Sequence, residues 1–246
     1  MIVYGLIGNP LGHSFSPGYF NEKFLCENLP NRQYKLFPLI HAQDIIGLLN
    51  QNPEIEGLNV TIPYKREIID FLDELDPIAA KIGAVNTIKV IRSSKGIYLK
   101  GYNTDIVGFQ YSCSGLRKKI KAIVLGTGGS AKAINFVLNQ LQIPYFSVSR
   151  EPKKSNEIRY DDLNEDLVKN HHLIINTTPV GMAPNIDKCP QFPFQYLSPD
   201  HFLFDLIYNP AETQFLKKGL QQGASIQNGA LMLELQAERS WEIWNS

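Results

Sequence analysis

Short apolar runs alternate with amphipathic stretches along almost the whole chain, the pattern of an α/β protein whose sheets are mainly parallel. In the first part the apolar runs predict strands over 2–7, 33–39, 57–62, 84–91 and 98–102. Helices are expected between them over 17–27, 42–50 and 64–72. From residue 119 onward the rhythm is more regular, with a strand over 120–125, a helix over 129–141 and a strand over 144–149 forming one βαβ unit. Strands over 173–176 and 202–206, a helix over 211–221, a short strand over 224–227 and a closing helix over 230–244 follow, and no internal repeat is visible. The stretch 103–117 reads as a helix joining the two parts. It ends in Arg117, Lys118 and Lys119, which suit a solvated helix end better than a binding patch, and it places a domain boundary near residue 103.

A length of 246 residues suits one large or two modest domains. Lys plus Arg (24) balances Asp plus Glu (24), so no global field would hold a nucleic acid or an anionic membrane, and an anionic ligand must be met by local charges. Cys26, Cys113 and Cys189 are odd in number, far apart and without metal-site spacing, which fits a reducing compartment and predicts no bound metal. The apolar start runs directly into Gly8, Asn9 and Pro10 without a basic region, so it reads as a buried strand of a cytoplasmic protein.

The strongest local signal lies where the first strand of the βαβ unit enters Gly126-Thr127-Gly128-Gly129-Ser130-Ala131 and then a helix. Gly126 permits a tight turn, Gly128 lets the backbone approach a pyrophosphate, and Ala131 is the small residue needed where helix meets strand. A dinucleotide site of the NAD type places an acid at the end of the second strand, about twenty residues on, to accept from the ribose hydroxyl. Here Ser149 is followed by Arg150, with Lys153 and Lys154 close behind. Those cations suit a 2′-phosphate and point to NADP, although Glu151 next to Arg150 offers an acid to the ribose instead.

Polar residues also stand at strand ends in the first part, where parallel sheets bind ligands: Ser14 with Ser16, Asn59 to Lys65, and Asn86 with Thr87. These residues carry a resemblance. Gly8-Asn9-Pro10-Leu11-Gly12-His13-Ser14-Phe15-Ser16-Pro17 resembles the N-terminal signature of the shikimate dehydrogenase family. Gly57-Leu58-Asn59-Val60-Thr61-Ile62-Pro63-Tyr64-Lys65 is similar to its catalytic-lysine segment, Gly83-Ala84-Val85-Asn86-Thr87 to its next substrate strand, and Gly101-Tyr102-Asn103-Thr104-Asp105 to its catalytic-aspartate segment. The glycine loop, Asn176-Thr177-Thr178-Pro179, Asp205-Leu206-Ile207-Tyr208-Asn209-Pro210 and Gly229 to Gln236 continue the match in the family's order.

The resemblance implies two α/β domains with the active site in the cleft between them. Residues 1–103 and 229–246 would form a substrate domain with a mainly parallel sheet, and 104–228 a Rossmann domain binding NADP. It implies reversible reduction of 3-dehydroshikimate to shikimate, with Lys65 and Asp105 as the catalytic pair. Ser14 and Ser16 would hold the substrate carboxylate, and Thr61, Asn86, Tyr208 and Gln236 the rest of the ring. Cofactor contacts would come from Gly126, Thr127, Gly128, Gly129, Ser130, Ala131, Ser149, Arg150, Lys153, Thr177, Thr178, Ile207 and Gly229. The implied partners are small molecules, and the implied assembly a monomer or homodimer. Taken one at a time, Lys65 also suits a solvated helix start, Asp105 an N-cap, and Ser16 a cap before Pro17.

The chain departs from the family where Gly18 and Tyr19 follow Pro17, where Ser149 and Glu151 flank Arg150, and at Leu231. A quinate/shikimate dehydrogenase using NAD or NADP is the near alternative, and a folate-linked dehydrogenase on a related scaffold a more distant one. A sensor of shikimate-type ligands without catalysis would be expected to lack Lys65 or Asp105, and both are present.

Overall fold

The computed structural model describes residues 1–12, 14–113 and 120–246. His13, the basic cluster Arg117, Lys118 and Lys119, and the end of the helix expected over 103–117 lie outside the described residues. The chain divides into two units, Met1–Thr104 with Ala237–Ser246, and Asp105–Gln236.

In the first unit β1 (Ile2–Gly8), α1 (Ser16–Cys26), β2 (Arg32–Pro38), α2 (Ile45–Gln51) and β3 (Ile55–Val60) follow the expected alternation. Next come β4 (Glu74–Leu75), α3 (Pro77–Ile82), β5 (Thr87–Ser93) and β6 (Gly96–Tyr102), giving the sheet order β2-β1-β3-β5-β6-β4. β1 pairs in parallel with β2 and β3, and β4 with β6. β5 runs antiparallel to both β3 and β6, so this half of the sheet is mixed. The helix expected over 64–72 is a 3-10 turn, Glu67–Phe71, where Glu67 and Asp70 interrupt an apolar stretch.

Period-two alternation in β1 feeds two cores. Val3 and Ile7 join Ile45, Leu49, Leu58, Ile68 and Ile88, while Tyr4 and Leu6 meet Phe20, Phe24, Tyr34 and Trp244. Trp244 closes the second core from the last helix, α8 (Ala230–Trp244). Its indole stacks on Tyr4 at 4.8 Å between centroids and donates Nε1–H to the Ile88 carbonyl at 3.0 Å. Gly57 is required beneath it, because a Cβ there would lie 2.4 Å from the indole.

In the second unit α4 (Asp105–Ser112) precedes β7 (Ala122–Leu125), α5 (Gly129–Gln140), β8 (Tyr145–Val148), β9 (Glu157–Ile158) and α6 (Glu165–Lys169). β10 (Leu173–Asn176), β11 (Phe202–Asp205), α7 (Gln214–Gln221) and β12 (Ser225–Gln227) complete it before α8. The sheet order is β12-β11-β10-β7-β8-β9 and every pairing is parallel. Counted from β7 this is the 3-2-1-4-5-6 order of the Rossmann fold, and the order reverses between β7 and β10. Ligands bind at the carboxyl ends of strands at such a reversal, which here fall at Leu125 and Asn176. Among the described residues no helix is long and apolar enough to cross a membrane.

Trp244→Ala is expected to lower the stability of the first unit by about 3–5 kcal/mol, the usual cost of emptying a buried aromatic site. A urea titration followed by circular dichroism checks this, and an unchanged midpoint would contradict the role given to the indole.

Candidate active site

β7 delivers the chain into the glycine loop. Gly126 has φ +105, a region that side chains disfavour, and a Cβ there would lie 2.7 Å from Thr177 Oγ1. Thr177 sits under the loop because both its amide (3.0 Å) and its hydroxyl (2.7 Å) donate to the Leu125 carbonyl. Thr127 continues the turn, and Gly128 is the residue before α5, where a Cβ would meet nothing within 4 Å. Gly129 and Ser130 open α5, whose first turn carries no side-chain cap hydrogen bond and no acid, while Ala131 is buried against the sheet. Open space over Gly128 and the amides of an uncapped helix start fit the pyrophosphate of a dinucleotide.

The neighbouring strand ends are tied together by side chains. Asn176 and Asp205 are paired in register on β10 and β11, both fully buried, and Asn176 Nδ2 donates to Asp205 Oδ1 at 3.0 Å. Asp205 Oδ1 also accepts from the Ile207 amide at 3.0 Å, and Oδ2 from the Thr213 hydroxyl at 2.6 Å. Asn176 Oδ1 in turn accepts from the amide and hydroxyl of Thr178, at 3.0 and 2.7 Å. Burial pushes the Asp205 carboxyl up to about 6, with these three donors holding it back from rising further. Ile207 itself is buried, and its carbonyl accepts from the Gly229 amide at 3.1 Å. Gly229 must be glycine, since a Cβ would lie 2.1 Å from the Leu206 carbonyl oxygen.

In the first unit Ser14 donates to the Leu11 carbonyl at 2.9 Å, and Ser16 is the first residue of α1. Ser16 does not cap that helix: the capping position is Phe15, without a side-chain bond, and the Ser16 hydroxyl bonds the buried Tyr34 hydroxyl instead. Tyr34 donates to Asn59 Oδ1 at 2.8 Å, and Asn59 Nδ2 reaches Ser240 Oγ at 2.9 Å and Thr87 Oγ1 at 3.1 Å. Asn86 completes the ladder, accepting from the Thr104 amide at 2.7 Å and donating Nδ2–H to Thr104 Oγ1 at 3.0 Å. Thr61 follows β3, its amide donating to the Ile7 carbonyl at 2.9 Å. Lys65 is half-buried in a segment anchored by Tyr64, whose hydroxyl donates to the Leu39 and Ile40 carbonyls at 2.7 and 2.8 Å. The structure thus joins Ser16 and Asn86 through one hydrogen-bonded ladder and sets Lys65 on a fixed backbone. Asp105 is buried at the start of α4 in the second unit, and Tyr208 and Gln236 are half-buried residues of that unit.

A model of the shikimate dehydrogenase substrate binding domain matches residues 6–88. The shikimate dehydrogenase (NADP(+)) of Halothermothrix orenii is 39% identical over 98% of this chain and 90% of its own length. The chain belongs to the shikimate dehydrogenase family. The crystal structure of shikimate dehydrogenase 1 from Peptoclostridium difficile superposes with a TM-score of 0.85 at 35% identity, covering 100% of this chain and 92% of the other. That of the Thermus thermophilus shikimate 5-dehydrogenase in complex with NADP(H) and shikimate gives 0.84 at 26% identity, covering 99% and 93%.

In this member of the family the basic group after β8 lies on an exposed loop. Ser149 Oγ accepts from the Glu151 amide at 3.2 Å, and Arg150, Lys153 and Lys154 are exposed, with the Lys153 amide bonded to Glu157 Oε2 at 2.7 Å. Sequence reasoning assigned no role to Tyr34, Ser240, Asp205 or Thr213. Asp205 carried the signal that marked Asn59 and Asn86, a polar residue ending an apolar strand, but Ser240 meets Asn59 from 181 residues away.

The Asp205 carboxyl, raised from 3.8 to about 6, binds its proton more tightly folded than unfolded, so its contribution favours the fold below the lower value and is lost as pH rises through the upper. Relative to Asp205→Asn, wild-type stability is therefore expected to fall as pH is raised across that window. Denaturant titrations of both proteins at several pH values check this, and a parallel pH dependence would contradict it.

Proposed function

We propose that this chain is a cytoplasmic NADP-dependent shikimate dehydrogenase, interconverting 3-dehydroshikimate and shikimate in chorismate and aromatic amino acid biosynthesis as a monomer or homodimer. The observation that carries this reading is the 39% identity over 98% of the chain to a relative named shikimate dehydrogenase (NADP(+)), together with a glycine loop whose geometry suits a dinucleotide. In this reading Met1–Thr104 with the end of α8 binds the substrate, and Asp105–Gln236 holds the nucleotide.

Lys65 and Asp105 carry the acid/base work. Reduction of a ketone builds negative charge on its oxygen, which Lys65 meets by giving a proton from Nζ; in the oxidation direction it takes the proton back. Asp105 orients the ammonium and shares in the proton transfer. Ser14 and Ser16 hold the substrate carboxylate with neutral donors, and Thr61, Asn86, Tyr208 and Gln236 select the ring hydroxyls. NADP, when bound, supplies or accepts the hydride. Gly126, Thr127, Gly128, Gly129, Ser130 and Ala131 form its phosphate cradle, Ser149, Arg150 and Lys153 meet the 2′-phosphate, and Thr177, Thr178, Ile207 and Gly229 line its other end. Glu151 beside Arg150 favours one second reading, use of NAD as well, and a structure of the Listeria monocytogenes relative contains shikimate and NAD.

An absorbance assay offering shikimate and quinate, each with NADP and NAD, should show fastest turnover with shikimate and NADP; no turnover with any pair would sink the reading. Lys65→Ala is expected to lower kcat by about a hundredfold or more while NADP binding survives. Arg150→Ala should weaken NADP far more than NAD, and equal losses for both would remove Arg150 from cofactor choice.

A further inference from the structure

We infer that Asp205 is a positioning residue for the nucleotide site: through Asn176 it fixes the Thr177–Val180 turn at the mouth of the sheet, and with it the affinity for NADP. The inference deepens the function proposed above and rests on the assignment of Thr177, Thr178 and Ile207 to the cofactor.

Three segments that share no local sequence meet at this carboxylate. From β10 comes Asn176, from the turn after β11 the Ile207 amide, and from the start of α7 the Thr213 hydroxyl. Thr213 is itself the cap of α7, accepting from the Leu216 amide at 3.3 Å, so the carboxylate also fixes where that helix begins. Asn176 is bonded on both sides of its amide. It gives Nδ2–H to Asp205, which forces Oδ1 toward Thr178, where it takes both the amide and the hydroxyl. The Thr178 hydroxyl then accepts from the Val180 amide at 3.3 Å, extending the chain of bonds into the turn. Next to Thr178, Thr177 stands directly against the Cα of Gly126. A shift of this turn therefore moves the floor of the glycine loop.

Packing alone does not explain a carboxylate here. Asp205 is fully buried, and the burial that raises its carboxyl to about 6 still leaves it ionised at neutral pH. A buried charge met only by neutral donors is costly, whereas an amide or hydroxyl would satisfy some of the same groups at less expense. What the charge adds is three acceptor bonds of charge-assisted strength on two oxygens, which fix three donors at once. Its partner Asn176 ends β10 at the strand-order reversal, where nucleotides bind, and that gives the rigidity a use.

The test compares wild type, Asp205→Asn and Asn176→Ala by NADP+ titration calorimetry, by kinetics, and by hydrogen exchange of the unliganded proteins. The second variant cuts the link to the turn while leaving Asp205 its Ile207 and Thr213 donors, so it carries the test should Asp205→Asn fail to fold. Expected are an NADP+ Kd raised about tenfold, the size of one lost charge-assisted hydrogen bond, and a KM for shikimate within about twofold of wild type. Amides of 177–182 should exchange faster while those of β7 stay protected, and the double variant should bind NADP+ no worse than the weaker single one. Unchanged NADP+ affinity and unchanged exchange in folded variants would overturn the inference, as would equal loss of shikimate and NADP+ affinity. If wild-type protein failed to bind NADP+, the cofactor reading would fall, and the exchange rates would still decide for or against Asp205 as the anchor of the turn.

Discussion

Buried strands of one sheet are held in register, and that geometry governs both halves of this protein. A polar side chain at a buried strand end has left water and must find its partner on the adjacent strand or in the segment that follows. In the second unit Asn176 finds Asp205 one strand away. In the first, Asn59 stands opposite Thr87 across an antiparallel pair and bonds to it. Of the groups assigned to ligands, Ser16, Asn86 and Thr178 belong to these bonded sets, so their placement follows from the sheets.

The two units meet the same requirement with different chemistry. The ladder from Ser16 through Tyr34, Asn59, Thr87 and Ser240 to Thr104 and Asn86 is built from neutral groups, several of them hydroxyls that both give and take a proton. Asp205 can only accept while ionised, which makes its cluster rigid in sense as well as in position.

Periodicity made most of the fold legible. The strand at Leu173–Asn176 and the last helix, Ala230–Trp244, lie where the pattern put them, and the glycine loop could be read from Gly126, Gly128 and the βαβ rhythm, while the Rossmann domain was implied by the family resemblance. What escaped was short or dictated from afar. α3 is six residues long, though it bears its own markers, Asp76 accepting from the Ile78 amide, Pro77 at its start and left-handed Gly83 at its end. β4 has two residues, and the reversed direction of β5 depends on pairing partners that periodicity does not name. For the site, residue type suggested strand-end donors, but Tyr34 and Ser240 looked like ordinary core and helix positions. Only the folded chain places their hydroxyls on Asn59.

One helix serves both units: Ala230–Gln236 counts with the second and Ala237–Trp244 with the first. The order of synthesis is therefore not the order of completion. Tyr4 and Phe20 are made long before the indole that covers them, which arrives with Trp244 after the whole second unit has been made. The first unit must wait with part of its apolar core uncovered until Trp244 has been made, while the second is complete before it as a continuous stretch. A chain built this way exposes its first unit to aggregation during synthesis, and the last turn of α8 is what ends that exposure.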